Sequence, residues 1–501
     1  MITKIAGLVL KASSALCFLA AIYLAVVHGW EFKYVVPAGL AIALAAASGL
    51  NAEWRINAAF AWVATVLTCY AFNFVLAFAD ASTNWDPPTR WVSFQSGEER
   101  QDRAKIAKGL GVQFDTRSRL EILTELRRQG LDAWPSIAPR VVLREWWTHY
   151  YGPFPTEYRE SLIHMDGTEL LPIGGIANKL TVYCNENGQY VLYDSDEHGF
   201  ANPKQLWNLS RLQIAVVGDS FVHGACVPLD ESYTALIRRR YPATLNLGND
   251  GVGPLVQYAA IKEYLAALRP RVVIWSYFEG NDLYDMMRER QTVMRRYLDA
   301  DYQQGLLQKQ TDIDQALMAH IERAMQARSF WAKLISFSDR FVHPERHGLE
   351  WARTLKLSYV WDLLQDAAGP TKAKAKISPP APYQPSVGRD DLELFRTTLG
   401  KAQQTVAAWG GRLVFVYLPR YERYVPEVGG QPNRDDVLAI VRSLGIPVVD
   451  LHPVFVAQDD PLELFPFKLP THYNVLGNRV VAEAILHVLD EMKLDSEEAR
   501  I

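Results

Sequence analysis

Ser220 lies in the phrase IAVVGDSFVHG, directly after an apolar run that reads as a buried strand. A hydroxyl just past a strand's carboxyl end sits where open α/β sheets place their ligands. The backbone N–H groups that follow it can face a developing oxyanion. The next two apolar runs lead into LNLGNDGVG and YFEGNDLYD. They put Gly251 and Asn281 on the same rim, as a backbone and a side-chain donor for that oxyanion. Near the end of the chain, PTHYNVLGNRVVAEAI sets His472 just ahead of an amphipathic helix, where it can serve Ser220 as general base. The chemistry of such a set is acyl transfer through a serine ester. Each residue alone is ordinary: a turn glycine, a capping asparagine, a satisfied histidine, and an Asp-Ser pair that makes a good helix N-cap. Their order along one rim sets them apart.

The elements that must hold these residues follow a repeating pattern of strand and helix. Apolar runs at 212–217, 243–247, 272–277, 413–417 and 446–449 read as strands buried on both faces. Amphipathic stretches at 233–240, 256–268, 392–409 and 475–492 supply the helices between and after them. The expected fold class is α/β, a three-layer doubly wound parallel sheet. The catalytic domain is expected over 206–501, interrupted by a charged helical insertion at about 284–388 that ends in SPPAPYQPS. That insertion reads equally as a lid over the site or as a packing appendage. Ahead of the domain, 81–205 holds a proline-bearing linker, a helix in DTRSRLEILTELRRQG, and a β-hairpin in TVYCNENGQYVLYDSD turning at Asn-Glu-Asn-Gly.

Residues 1–80 differ from the rest. Apolar stretches at 5–27, 35–50 and 58–78 are separated by the short pieces HGWEFK and NAEWRIN. A bilayer core takes about 20 apolar residues of helix. The first and third stretches meet that length, and the second needs its flanks. The segment is therefore expected to be transmembrane, with about three helices. Lys4, Lys11 and Arg55 share one side, and Lys33 is offset by Glu31, which places the N-terminus in the cytoplasm and the chain after residue 80 outside it. A buried helical bundle is the alternative. Cys17 and Cys69 fall within these stretches, while Cys184 and Cys226 flank Ser220. In an oxidising compartment the latter two either pair, tying the hairpin to the core, or remain buried thiols.

The four blocks around Ser220, Gly251, Asn281 and His472 resemble those of the SGNH/GDSL hydrolase superfamily, over about 195–285 and 390–492. ENGQYVLYDSDEHGFANP is similar to the lead-in of its membrane-attached bacterial members associated with glycan biosynthesis. The resemblance implies a flavodoxin-like topology and Ser220 as nucleophile. It also implies an oxyanion hole from Gly251 and Asn281, and no cofactor or metal. It implies an esterase or acyltransferase for O-acyl groups, O-acetyl above all, of a glycan or lipid-linked saccharide. The setting would be the inner membrane, facing the periplasm or exterior, beside polysaccharide biosynthesis machinery. One position departs: the family carries Asp two or three residues before the histidine, where this chain has Leu469 and Pro470. A Ser–His dyad is thus expected, with Glu463 or Asp450 (or Asp459, Asp460) as candidate orienting acid, or a backbone carbonyl in its place.

Other readings stay in view: a lipase or lysophospholipase, and a non-catalytic binding or scaffold protein of a polysaccharide assembly system. His343 and His347 have helical metal-ligand spacing, but Pro344 intervenes and a third ligand is missing. His223 reads as a helix-start residue close to the site. The chain has 52 basic and 56 acidic residues and no long basic run, which disfavours nucleic acid as a partner. It has no phosphate-binding loop and no dinucleotide fingerprint.

Overall fold

Five strands make the central sheet of the computed structural model: β1 (Ile214–Val217), β2 (Thr244–Asn246), β3 (Val272–Phe278), β4 (Arg412–Leu418) and β5 (Val448–Asp450). All pair in parallel, in the order β2-β1-β3-β4-β5. The order reverses at β1, so a crevice opens at the carboxyl ends of β1 and its neighbours, and Ser220 follows β1 there. Residues 1–28, 35–84, 95, 97–144, 157–326, 386–425 and 433–492 are described.

The strands read as unbroken apolar runs because each buries both faces. On one face Val273, Trp275 and Tyr277 of β3 and Leu413, Phe415 and Tyr417 of β4 meet the helices Arg389–Ala408 and Arg434–Ser443. On the other, Ile274, Val414 and Val416 meet Tyr233–Arg240 and Val475–Glu491. The expected helix over 256–268 is an α-turn, Pro254–Ala260, continued by a π-helical turn, Ile261–Leu265.

The lead-in does not stand apart from this domain. Ile122, Leu123, Val141, Ile173 and Val182 lie in the same core as one face of the sheet. The helix in DTRSRLEILTELRRQG runs Arg119–Arg128 and starts one turn later than its Asp-Thr pair suggests, because Ser118 caps it. The Ser118 side chain accepts from the Glu121 N–H, and Glu121 bonds back to the Ser118 N–H. The hairpin forms between Leu180–Val182 and Leu192–Asp194, with Ala133–Pro135 added in parallel. Its tip spans Asn185–Tyr190.

The described part of the insertion is a packing element. Helix Gln310–Gln326 buries Ile313, Leu317 and Ile321 in the shared core. Asp314 accepts from the Ala177 N–H at 2.9 Å, and Gln304 bonds both the N–H and the C=O of Leu171. His343, His347 and the rest of the insertion lie outside the described residues.

Residues 1–83 fall in a separate compact unit. Among its described residues are three helices: Ile2–His28, Val35–Ser48 and Ala52–Asn84. Only the first and third contain apolar windows long enough to cross a membrane, by length and composition. The middle helix has 14 residues, about 21 Å at 1.5 Å per residue, against a hydrocarbon core of about 30 Å. Among the described residues, two helices thus have spanning length and composition. Within the unit Trp62 donates to Ser13 Oγ and Ser14 to the Ala41 carbonyl, while Leu8, Leu16, Phe60 and Leu67 stay exposed.

Gly248 shows how closely the rim is packed: a Cβ there would lie 2.3 Å from the His223 backbone nitrogen and 2.6 Å from Val222 Cβ. Gly400, inside Arg389–Ala408, would meet Leu444 Cδ2 at an ordinary 3.7 Å. Gly248→Ala is expected to destabilise the chain by about 1–3 kcal/mol. Gly400→Ala should stabilise it by about 0.5–1 kcal/mol. Thermal midpoints that move the same way for both would contradict this packing.

Candidate active site

The turn after β1 places Ser220, largely buried, at the first position of a short helix, Ser220–His223. Asp219 caps it, accepting from the Phe221 N–H at 3.0 Å. His472 comes from the loop before Val475–Glu491, whose start is fixed by Asn474 accepting from Gly477. The structure brings the two together: Ser220 Oγ and His472 Nε2 are 2.8 Å apart. The ring of His472 packs on Phe221, with centroids 4.9 Å apart.

The acid on the other side of the imidazole is Glu186, at the hairpin tip. Both its carboxylate oxygens lie 3.1 Å from His472 Nδ1, and Oε2 also accepts the His472 backbone N–H at 3.1 Å. The expected orienting acids are elsewhere engaged. Glu463 is exposed and pairs with Lys468 at 3.3 Å. Asp450 pairs with Arg434 and caps the following helix through the His452 N–H, and Asp460 pairs with Lys468. The dyad with a local acid is therefore corrected to a Ser220–His472–Glu186 arrangement. Those candidates lie near His472 in sequence, whereas Glu186 lies 286 positions away. One signal pointed to it: a Cys184–Cys226 pairing puts Glu186 within a few residues of the nucleophile segment. The structure has that disulfide, with Cα atoms 5.0 Å apart.

Charge at the site is set by this contact. Burial pushes the His472 pKa down, but the charge and hydrogen bond of Glu186, then the charges of Asp219 and Asp250, leave it raised. Burial likewise pushes Glu186 up, and the His472 charge and hydrogen bond, helped by Arg103, hold it below the usual carboxylate range. Behind the rim, burial lifts Asp219 to about 7 and Glu289 to about 8. Glu289 accepts from Gly253, Leu255 and Val256 and so fastens the Asp282–Glu289 helix to the loop carrying Gly251.

Asn281 borders the same cleft as His472, with Phe221, Phe278, Arg420, Tyr421 and Glu422. It sits at the N-cap of Asp282–Glu289, yet its side chain makes no cap bond. Its Nδ2 donates to Asp285 at 2.9 Å instead. Gly251 is not among the walls of that cleft. At φ +57° it lies against the Arg140 guanidinium, where a Cβ would come within 1.3 Å of Nη1. It lines a small adjoining cavity with Arg140, Asp285 and Arg288.

His223 proves to be a core residue. It stacks on Tyr183 with centroids 4.0 Å apart, shares a 2.7 Å hydrogen bond with the Tyr193 hydroxyl, and lies 3.7 Å from Asp250. Tyr183 also bonds Asp250, whose carboxyl stays at about 2 despite burial because His223, Tyr183 and Arg140 stabilise its charge. Among the described residues, one set with metal-ligand proximity is Glu186, Cys226 and His472. The Cys226 sulfur is committed to the disulfide.

No protein-family model matches the chain, and no curated protein matches it. Among solved structures it is similar to a two-domain esterase active on acetylated mannans, co-crystallised with mannopentaose. The identity is 14% and the TM-score 0.30, over 58% of this chain and 52% of that one. The match thus spans about half the length of the mannan esterase. It is also similar to a protein assigned to the G-D-S-L lipolytic family from Desulfitobacterium hafniense DCB-2, at 11% identity and TM-score 0.28 over 56% of this chain and 99% of that one. A third likeness is to an alpha/beta hydrolase enzyme from the metagenome of Lake Arreo, Spain, at 12% identity and TM-score 0.29, covering 57% and 98% of the two chains.

With the His472 pKa raised, the neutral base forms only as pH climbs past a value above the ordinary one. Glu186→Gln removes the charge that lifts it. The pH midpoint for carbethoxylation of His472, read by mass spectrometry, should then fall by about one unit or more. An unmoved midpoint would show that Glu186 does not act on the ring.

Proposed function

We propose that this chain is a membrane-attached serine esterase of the SGNH/GDSL type acting through Ser220, His472 and Glu186. The observation that carries the reading is the continuous contact from Ser220 Oγ to His472 Nε2 and from His472 Nδ1 to Glu186. A hydroxyl, an imidazole and a carboxylate in that order are the parts of a serine triad, with Glu in the place of Asp. His472 takes the Ser220 proton as Oγ attacks the ester carbonyl, and Glu186 holds the ring and stabilises the imidazolium. The oxyanion is received by the Ser220 N–H and the Asn281 amide, which borders the same cleft as His472. His472 then protonates the leaving alcohol. Water, or a second hydroxyl in a transferase, releases the acyl group.

The cleft favours a short acyl group on a polar alcohol. Its volume is about 270 Å³, and aromatic Phe221, Phe278 and Tyr421 are mixed with charged Arg420 and Glu422. Such walls suit an O-acetylated sugar better than a long acyl chain. An O-acyl glycan or lipid-linked saccharide is the substrate class we infer, within a polysaccharide-assembly setting at the bacterial inner membrane. The side facing the periplasm or exterior is inferred from the basic residues. The Arg55 side chain lies 3.5 Å from the position of a Gly7 Cβ, at the same end of the helical unit as Lys4. That end would remain cytoplasmic.

Ser220→Ala is expected to lower hydrolysis of a short acetyl ester by about 10³-fold or more and to abolish labelling by a fluorophosphonate. Equal rates from both proteins would remove the esterase reading. A rate that climbs with acyl length would move the reading to a lipase. The full chain should stay in the membrane pellet after alkaline carbonate washing, and release into the supernatant would contradict the membrane attachment.

A further inference from the structure

Glu186 reaches the catalytic residues from an unusual direction: the tip of a hairpin that precedes the sheet. What holds that tip in place can be traced. The hairpin's stem is fixed through its aromatic residues, Tyr193 bonding His223 and Tyr183 bonding Asp250. Strand pairing ends at Val182 and Leu192. Two further backbone bonds, Tyr183 N–H to the Val191 carbonyl and Val191 N–H to the Cys184 carbonyl, close the ladder. Beyond Cys184, Asn185 donates to the Asp115 carbonyl and accepts from Gly188, and the Asp115 N–H bonds the Gly188 carbonyl. These bonds join the tip to the lead-in. From the tip, the Cys184–Cys226 disulfide and Asn187 Nδ2, donating to the Cys226 carbonyl at 2.7 Å, reach the segment after Ser220, while Glu186 reaches His472.

We propose that the Cys184–Cys226 disulfide is the positioning element for Glu186, fixing the hairpin tip to the segment that carries Ser220 so that the carboxylate stays on His472. The inference rests on the triad reading above. Cys184 is two residues from Glu186, and Cys226 is six residues from Ser220 and leaves the nucleophile helix through Gly224 at φ +87°. Cys226 itself has φ +59°. Both cysteines are fully buried. The covalent bond adds to the Asn185–Asp115 and Asn187–Cys226 hydrogen bonds a link that holds the tip beside the Ser220 segment. A carboxylate shifted by 1 Å from an imidazole loses both the hydrogen bond and much of the orientation that a triad requires. The groups facing His472 are Glu186 from the tip, Asp219 from the nucleophile turn and Asp250 from the loop after β2, with Arg103 acting on Glu186 from helix Gly97–Gly109. Of the three acids, only Glu186 is carried by the element the disulfide anchors.

The test uses the full chain in detergent, with kcat expressed per Ser220 titrated by fluorophosphonate, so that an unfolded fraction does not count. Cys184→Ser/Cys226→Ser should lower kcat on a short acetyl ester by roughly 10²-fold with little change in KM. The carbethoxylation midpoint of His472 should fall toward that of Glu186→Gln. In the disulfide-bonded chain Glu186→Gln should cost about 10²–10⁴-fold, and in the double-serine chain less than about 10-fold, because the acid is already uncoupled. The same cost in both backgrounds, or an unchanged His472 midpoint, overturns the proposal. So does a double-serine chain with no titratable serine and no cooperative melt, which would make the bond a strut of the whole fold. Should the intact chain hydrolyse no ester, the esterase reading fails separately, while the His472 midpoint still decides whether the disulfide positions Glu186.

Discussion

The contact between His472 and Glu186 is the constraint on which the rest of the site depends. An imidazole beside a serine is an effective base only if its other nitrogen is held and its positive charge is stabilised. Here that partner comes from outside the sheet, so the lead-in must dock before the site exists. Much of the molecule serves this docking. Arg119–Arg128 and the strand Ala133–Pro135 share the core of the sheet. Phe114 meets Phe467, with centroids 6.2 Å apart, so the lead-in also steadies the loop that leads into His472. Phe467 and Lys468 both hold φ near +54°, a conformation that non-glycine residues adopt only when their surroundings impose it.

The fold was legible in the sequence where burial is symmetric. The three central strands, β1, β3 and β4, are apolar on both faces and bounded by turn signals, which together point to buried strands. Ser220, Asn281 and His472 were legible because the ends of such strands and the start of the last helix are fixed by the same pattern. Glu186 was not, because a carboxylate in an Asn-Glu-Asn-Gly turn has the composition of any exposed turn. Its burial comes from tertiary docking, which periodicity does not report. Glu463 and Asp450 drew attention through nearness along the chain, and both are engaged by neighbouring cations instead. His223 illustrates the reverse case: its nearness to Ser220 is real, but the aromatic side chains that enclose it come from residues 183 and 193.

Buried acids surround the rim. Asp219, Asp282, Asp285 and Glu289 are all raised, first of all by burial. Their backbone and amide partners spend hydrogen bonds on fixing loops: Asp219 on Phe221, Asp282 on Phe278 and Gln257, Glu289 on the Gly253 turn. Carboxyls used in this way hold neighbouring N–H groups in fixed directions, which is what donors to an oxyanion need. The N-terminal unit has a different surface. Leu8, Leu16, Phe60 and Leu67 point outward from it, and in water such a surface would be costly.

The distribution of the three reacting side chains along the chain also has a consequence for biosynthesis. Glu186, Ser220 and His472, the acid, nucleophile and base of the proposed triad, are met in that order as the polypeptide lengthens, with His472 252 positions after Ser220. Every strand of the sheet is complete by Asp450, before His472 has been made. A chain truncated between them would carry all five strands, the hairpin and both cysteines, but neither His472 nor the helix that covers one face of the sheet. His472 and the layer of helix that buries that face, Val475–Glu491, are therefore gained together.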